Sequence, residues 1–217
     1  MPDPQSGSLL VSYYEAFLRD QDVQAFRREV LARYMEGTLS RLVESPDTQT
    51  RRAAVLALGL VGSIEANPVV ARALRDSDPT VRSLSENALW AIWFRADTAE
   101  NNIALAEISQ LIGQNDHRRA ILGATRLIER SPRFAEAYNQ RAIAHYHLGD
   151  FQASADDCRR AIELNPYHIG ALAGLAKCLL RLDQREAALE ALRRASRLQP
   201  FSTDIKTLIS ALEAGES

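Results

Sequence analysis

The sequence predicts an all-α protein, a right-handed solenoid of stacked helical hairpins with about twelve helices. Prolines recur 34 residues apart at Pro132, Pro166 and Pro200, and this is the length of one hairpin in a stacked array. Aromatic residues make up only 6% of the chain, whereas Ala, Leu and Arg are abundant. Such a composition favours helices that pack closely through small side chains. A second period of 31 residues pairs Arg51 with Arg82.

Composition and charge argue against several classes of protein, namely disordered, nucleic-acid-binding, membrane-spanning and secreted proteins. With 46% apolar and 25% charged residues, the 217-residue chain is globular rather than disordered. The net charge is −2 and both signs are interspersed, so the chain does not attract the phosphate backbone of a nucleic acid over long range. We therefore expect no nucleic-acid partner. The longest apolar run, Ala53 to Val61, is shorter than the ~20 residues of a membrane span. The first ten residues lack the basic and apolar regions of a secretory signal, so we expect a cytoplasmic protein.

No pattern of catalytic or metal-binding residues stands out. Cys158 and Cys178 fall inside predicted helices, where we expect inert core thiols. His145 and His147 are two residues apart and would point to different sides of a helix. We therefore expect no enzyme activity, no cofactor and no metal. Five arginines cluster around one hairpin and favour a solvated face or an acidic protein partner; they are Arg118, Arg119, Arg126, Arg130 and Arg133.

The N-terminal part is expected to be a lead followed by a hairpin. Residues 1–7 contain two prolines and a glycine without apolar periodicity, which predicts a disordered lead. Within 8–36, apolar residues repeat at helical spacing on both sides of the polar stretch Asp20 to Asp22, which predicts a helical hairpin.

Residues 37–99 contain the turn and cap signals of further hairpins. Asp47 and Asp78 can cap the helices that follow them, and Pro79 is favourable at a first helical position. Gly62 is expected to end a helix in the left-handed conformation.

The 31-residue period in this stretch resembles the HEAT repeat, in its short bacterial variety. An acidic turn, an arginine and an Ala-Leu helix occur twice, from Thr48 and from Asp78. The resemblance implies a ladder of turn aspartates and helix arginines along the stack, to which Asp76, Asp78 and Arg82 correspond.

Trp90 and Trp93 share one helix face at the end of this region. Two interpretations are open. They are a bulky core filler where the two repeat types meet, or they form an exposed platform for a ligand.

Residues 100–202 resemble the tetratricopeptide repeat (TPR) family, with a degenerate first copy. In the copy from Ala135 to Pro166, the family's close-contact positions are filled by Ala142, Ser154 and Ala161. The copy from 101 to 132 has Glu107 where a large apolar residue is expected.

Residue types at the turns support this register. The family places a residue with positive φ between paired helices, and the three copies have Asn115, Gly149 and Asp183 there. These residue types tolerate that conformation. Residues 203–217 are expected to form a capping helix and tail, since Ile205 and Leu208 recur on one helix face.

The resemblance implies a function and a surface. In TPR proteins the first helix of each pair lines a concave groove for a peptide, which predicts a non-catalytic interaction scaffold. Lys177 and Arg181 are the groove cations for an acidic side chain or a free C-terminus of a partner. Carried over residue by residue, the groove comprises Asn139, Gln140, Ile143, Tyr146, His147, Gly170, Ala173, Gly174, Lys177 and Arg181.

Alternatives to this function remain. The groove positions could be ordinary solvated helix positions on a protein that binds by another face. The clamp for heat-shock chaperone C-termini is not expected, because Leu105 and Ser109 occupy its first cationic and amide positions and Gly170 and Gly174 its last. Short HEAT-like repeats also occur in bilin lyases, which leaves a chromophore lyase or chromophore chaperone as the second function.

Overall fold

The computed structural model describes the backbone of residues 4–214 and the side chains of residues 9–214. This part of the chain contains thirteen α-helices, one short 3-10 helix and no strand, so the prediction of an all-α fold of stacked hairpins is confirmed. It divides into two compact units, Met1–Trp93 and Phe94–Ser217. Among the described helices, none is both long and apolar enough to cross a bilayer.

The N-terminal unit contains six α-helices and the 3-10 helix. They are α1 (Pro4–Asp20), α2 (Val23–Arg33), α3 (Glu36–Leu42), α4 (Thr48–Val61), the 3-10 helix Ile64–Ala66, α5 (Asn67–Ala73) and α6 (Pro79–Trp93). Helix α1 includes residues 4–7, which the sequence analysis assigned to a disordered lead. Residues 1–3 and 215–217 lie outside the described part, so the expectations for them are not addressed by the structure.

The first hairpin turns at Gln21, which has a φ of 55°. Asp22 caps α2 by accepting a hydrogen bond from the Ala25 amide at 2.9 Å. Phe17 and Phe26 pack with their ring centroids 5.8 Å apart, closing α1 against α2. A short polar turn and one aromatic pair therefore account for this hairpin.

Helix α4 is central to the N-terminal unit, because α1, α2, α3 and α6 all pack against it. Asp47 caps it through the Thr50 amide at 2.8 Å, and Asp78 caps α6 through the Val81 amide at 2.9 Å. A Cβ on Gly59 would lie 2.9 Å from the Ala88 Cβ, so the glycine permits a close α4–α6 crossing.

Aspartates and arginines link the two turns of this unit. Arg51 makes two hydrogen bonds to the Asp76 carboxylate, at 2.7 and 3.0 Å, and Arg52 makes two to Asp78, at 2.9 and 2.7 Å. Arg82 instead donates to the carbonyl oxygens of the turn before its own helix, at 2.8 and 2.9 Å. Asp76 and Asp78 are thus the acidic members of a ladder, as expected, but the arginines bonded to their carboxylates are Arg51 and Arg52, and Arg52 was not identified from the sequence.

The expectation for Gly62 is wrong. Its φ and ψ are −71° and 153°, an extended conformation that any residue can adopt. A Cβ at this position would lie 2.6 Å from the Leu58 carbonyl oxygen. A glycine is needed at the end of α4 because a side chain would clash with the Leu58 carbonyl oxygen, and not because the backbone is left-handed there.

Trp93 belongs to the core of the N-terminal unit. It is 1% exposed, and its indole N–H donates to the Asn67 side-chain oxygen at 2.8 Å. Trp90 is half-buried and packs edge-on against it, at 5.1 Å between centroids. The core interpretation therefore holds for Trp93, and the platform interpretation does not.

The C-terminal unit is a series of antiparallel hairpins. Its helices are α7 (Ala99–Gly113), α8 (His117–Arg130), α9 (Ala135–Leu148), α10 (Phe151–Leu164), α11 (Ile169–Arg181), α12 (Arg185–Leu198) and α13 (Thr203–Ala214). The residues between paired helices have positive φ, with values of 60° at Asn115, 85° at Gly149 and 56° at Asp183. All three turn assignments made from residue type are correct.

Small side chains bring the helices of this unit together. Ala142, Ser154 and Ala161 are at most 1% exposed, and the Ser154 hydroxyl donates to the Ala142 carbonyl oxygen at 2.7 Å. Helix α13 covers the last hairpin with a half-buried apolar face formed by Ile205, Leu208, Ile209 and Leu212.

Candidate functional site

The candidate site lies on α9 and α11, the first helices of the second and third hairpins of the C-terminal unit. Both helices begin after a turn that contains proline. Helix α9 ends one residue before Gly149 and α11 ends two residues before Asp183, and both of these residues have positive φ. The two helices contact each other and both contact α10. The ten expected groove residues therefore lie on neighbouring helices, but their side chains have different environments.

Asn139 and Gln140 are in the interior. They are 2% and 5% exposed, and their side-chain amides donate to the same oxygen of Glu136, at 2.9 and 2.7 Å. Their amides are thus used within α9. We therefore leave both residues out of the proposed contact surface.

The other carboxylate oxygen of Glu136 is bonded to His168. The distance from Oε2 to the His168 Nε2 is 2.8 Å, and both side chains are 0% exposed. The His168 Nδ1 accepts a hydrogen bond from the Ala171 amide at 3.1 Å, which caps α11. Because Nδ1 is an acceptor, Nε2 carries the ring proton and donates a hydrogen bond to Glu136. This network was not predictable from the sequence, because its two ionisable residues are 32 positions apart in the chain and no motif links them.

Gly174 does not form an open floor. A Cβ on Gly174 would lie 3.1 Å from the Cys158 sulfur, so this position faces α10. Ile143, Gly170 and Ala173 are half-buried. None of these four residues has a polar side-chain group, so they can contribute only apolar contacts to a ligand.

Five side chains form a continuous contact series across the ends of four helices. The imidazoles of His117 and His147 stack at 4.7 Å with an angle of 4° between planes. Tyr146 packs against both His147 and Phe151, at 6.2 and 5.3 Å between centroids. The Arg181 guanidinium lies 4.1 Å from the Phe151 ring centroid. We call this series, His117, His147, Tyr146, Phe151 and Arg181, the aromatic row.

Lys177 and Arg181 are exposed on α11, one turn apart and therefore on one face. Within the part of the chain that the structure describes, neither forms an ion pair with a carboxylate. The Phe151 ring holds the Arg181 guanidinium by its face, which leaves the N–H edge available. The two cations are therefore available to donate hydrogen bonds to a carboxylate of another molecule.

The histidine, cysteine and carboxylate side chains of this unit bear on the question of a metal site. Among the described residues, no three His, Cys, Asp or Glu side chains form a group that could hold a metal ion. The stacked rings of His117 and His147 are nearly parallel, so their nitrogen lone pairs do not converge on one point. Arg119 and Arg130 of the predicted basic cluster form ion pairs with Asp116 and Glu100, both at 3.1 Å.

Family models match both halves of the described chain. Tetratricopeptide repeat models match residues 105–169 and 145–212, and a HEAT repeat model matches residues 35–128. The overlap at 105–128 falls on the degenerate first TPR copy, where Glu107 is exposed.

Curated relatives match parts of the chain, and one of them is described as a repeat protein. A TPR repeat-containing protein of Rhizobium etli is 25% identical over 64% of this chain and 68% of its own length. Mouse sperm-associated antigen 1 is 30% identical over 45% of this chain, and rice protein SGT1 homolog is 42% identical over 31%. This chain spans only 11% and 18% of the lengths of those two proteins.

Solved structures resemble about half of the chain. The first TPR of Spaghetti (RPAP3), bound to the HSP90 peptide SRMEEVD, has a TM-score of 0.52 at 19% identity and covers 55% of this chain and 94% of its own. The TPR2B domain of yeast Sti1, in complex with pHsp70, has a TM-score of 0.50 at 25% identity and covers 54% and 99%. Together with the hairpin geometry and the positive-φ turns, the repeat-model matches show that the chain belongs to the repeat proteins, with HEAT repeats followed by tetratricopeptide repeats.

Proposed function

We propose that the C-terminal unit is a non-catalytic scaffold that binds a peptide segment of a partner protein along α9 and α11. The observation that carries the proposal is the exposure of Lys177 and Arg181 on one face of α11 without a carboxylate partner among the described residues. An acidic side chain or a free C-terminus of the peptide pairs with these two cations. The likeness to the Sti1 domain that is complexed with pHsp70 supports a peptide as the ligand.

The proposed contact surface is smaller than the groove expected from sequence. Lys177 and Arg181 bind the carboxylate, and Tyr146 and His147 contact the adjoining part of the peptide. Ile143, Gly170 and Ala173 are half-buried positions on the same two helices. The chaperone clamp remains unfavoured, because Leu105 at its first cationic position is 0% exposed and cannot be reached by a peptide carboxylate.

A two-step experiment tests this function. The full chain captures partners from its host lysate, and the captured protein is identified by mass spectrometry. A synthetic peptide covering the bound segment is then titrated against the wild-type chain and against Lys177→Ala/Arg181→Ala. We expect the double variant to bind at least about tenfold more weakly, because two charge-assisted hydrogen bonds are worth more than 1.4 kcal/mol.

The matched control is Arg197→Ala. Arg197 is an exposed arginine near the end of α12, on the second helix of its pair. This control should bind like the wild type. Equal binding by the double variant and the wild type would exclude the two cations from the contact surface, and a free carboxylate that can be replaced by an amide without loss would exclude C-terminal recognition.

The chromophore-lyase alternative rests on the HEAT resemblance alone. It predicts visible absorbance that remains with the protein after incubation with bilin and gel filtration. A peptide-binding scaffold stays colourless in the same experiment.

A further inference from the structure

The two cysteines of the chain lie on packed helices of neighbouring repeats. Cys158 is on α10 and Cys178 on α11, and they are 2% and 0% exposed. Both are free thiols, and both belong to one core cluster of the C-terminal unit. The pair therefore spans the boundary between the second and the third TPR copy.

Two short contacts define where these thiols lie. Ser154 and Cys158 are one turn apart on α10, as Gly174 and Cys178 are on α11. The Cys178 thiol donates to the Ser154 hydroxyl oxygen at 3.0 Å. The Cys158 sulfur lies 3.1 Å from the position that a Cβ on Gly174 would occupy. The missing side chain of Gly174 thus makes room for the Cys158 thiol at the α10–α11 crossing, beside Cys178.

The surroundings make the two thiols chemically unequal. The hydrogen bond from the neighbouring Cys158 thiol lowers the pKa of Cys178 despite its burial. The proximity of Cys178, together with burial, raises the pKa of Cys158. Cys178 is therefore the thiol that more readily forms the nucleophilic thiolate.

We propose that Cys158 and Cys178 are a redox pair that a hydroperoxide converts to a disulfide between the second and third TPR copies. The Cys178 thiolate attacks the peroxide O–O bond, which yields a sulfenic acid at Cys178 and, after proton uptake, a water molecule. The Cys158 thiol then attacks the Cys178 sulfur and expels the oxygen as a second water. Two thiols lose two protons and two electrons in total, and one H₂O₂ is reduced to two H₂O.

The size of the oxidant follows from burial. The proposal takes hydrogen peroxide as the oxidant because it is little larger than water, whereas a low-molecular-weight disulfide cannot reach a sulfur that is 0% exposed. The product joins α10 to α11 and so restricts the movement of α11, the helix that carries Lys177 and Arg181. A cross-link of this kind lowers the conformational entropy of the unfolded chain and so stabilises the folded boundary between these two repeats.

The test compares the folded chain with the chain unfolded in urea. The fully reduced protein is treated with hydrogen peroxide, denatured in excess iodoacetamide and analysed by mass spectrometry. Sulfoxide at Met35, which is 79% exposed, shows that the oxidant was active. We expect the folded chain to lose both alkylation sites and two hydrogen atoms, to yield a linked peptide pair, and to do so at least about tenfold faster than in urea.

Two variants establish the roles of the thiols. Cys158→Ser should accumulate sulfenic and then sulfinic acid at Cys178 without a cross-link, and Cys178→Ser should leave the Cys158 thiol alkylatable after the same peroxide treatment. The proposal is overturned if both thiols remain alkylatable once Met35 is oxidised, if the cross-link forms only in urea, or if it joins two chains. A higher unfolding temperature of the oxidised chain, reversed by dithiothreitol, is expected in addition.

Discussion

Arg51 joins two turns of the N-terminal unit through one guanidinium group. It holds the Asp76 carboxylate at 2.7 and 3.0 Å and the carbonyl oxygens of Ser45 and Pro46 at 3.1 Å each. Arg82 holds the carbonyl oxygens of Asp76 and Ser77 in the same manner. The 31-residue period is therefore a period of arginine–turn contacts as well as of apolar residues.

Replacing Arg51 by alanine should destabilise the N-terminal unit by ~1–3 kcal/mol, because it leaves the 12% exposed Asp76 side chain without its cation. Urea unfolding followed by tryptophan fluorescence measures this, since both tryptophans of the chain lie in that unit. The matched control is Arg72→Ala, whose pair with Glu44 has the same 2.7 Å length but is more than 60% exposed. The control should cost less than ~0.5 kcal/mol, and equal losses for the two variants would contradict a structural role for the ladder.

The same unit should lose stability in acid. Hydrogen bonding to Arg52 lowers the pKa of Asp78 from 3.8 to about 2. A carboxyl group whose pKa is lower in the folded than in the unfolded state stabilises the fold above the unfolded value, and this contribution disappears as the pH falls from about 4 to about 2. We expect a loss of ~1–2 kcal/mol over this interval from Asp78. Asp78→Asn retains a side-chain oxygen for the Val81 amide and should lose correspondingly less over the same interval.

Truncation of Trp93 should behave as a core mutation. Trp93→Ala is expected to cost ~3–5 kcal/mol, as for other fully buried aromatic residues. Trp93→Phe retains most of the apolar volume and loses the hydrogen bond to Asn67, which should cost ~1–2 kcal/mol. Urea unfolding followed by circular dichroism provides the comparison, with Leu31→Ala as the control because Leu31 is 57% exposed. A small loss for Trp93→Ala, similar to that of the control, would contradict the burial of this ring.

Two of the turns with positive φ, at Gly149 and Asp183, should respond differently to substitution. Gly149 has a φ of 85° and open space where a Cβ would lie, so Gly149→Ala should cost ~1 kcal/mol for conformation alone. Asp183→Gly removes the equivalent strain from a residue with a φ of 56° and should change stability by less than ~0.5 kcal/mol. Denaturation followed by circular dichroism tests both. Equal losses in the two variants would mean that side-chain contacts and not φ determine residue choice at these turns.

Local features of the fold were predictable because local chemistry decides them. Asn115, Gly149 and Asp183 are residue types that tolerate positive φ, and Asp47 and Asp78 cap helices within three residues of themselves. Gly62 was assigned wrongly because a glycine can serve handedness or space, and only the contact with the Leu58 carbonyl oxygen distinguishes them.

The candidate site was less predictable because its contacts cross between repeats. The repeat register places Asn139 and Gln140 at groove positions, but the burial of Glu136 against His168 brings both amides inside. His117 and His147 are on different helices, and no spacing rule for one helix indicates that their rings stack.

The link between Glu136 and His168 makes two adjacent TPR copies a matched pair. If the hairpin of α9 and α10 were duplicated, deleted or exchanged for a consensus copy, one member of the pair would remain buried without the other. A buried carboxylate that has lost its donor is strongly unfavourable. These two copies therefore cannot be rearranged as independent modules, because the buried Glu136–His168 pair requires that they stay next to each other in this order.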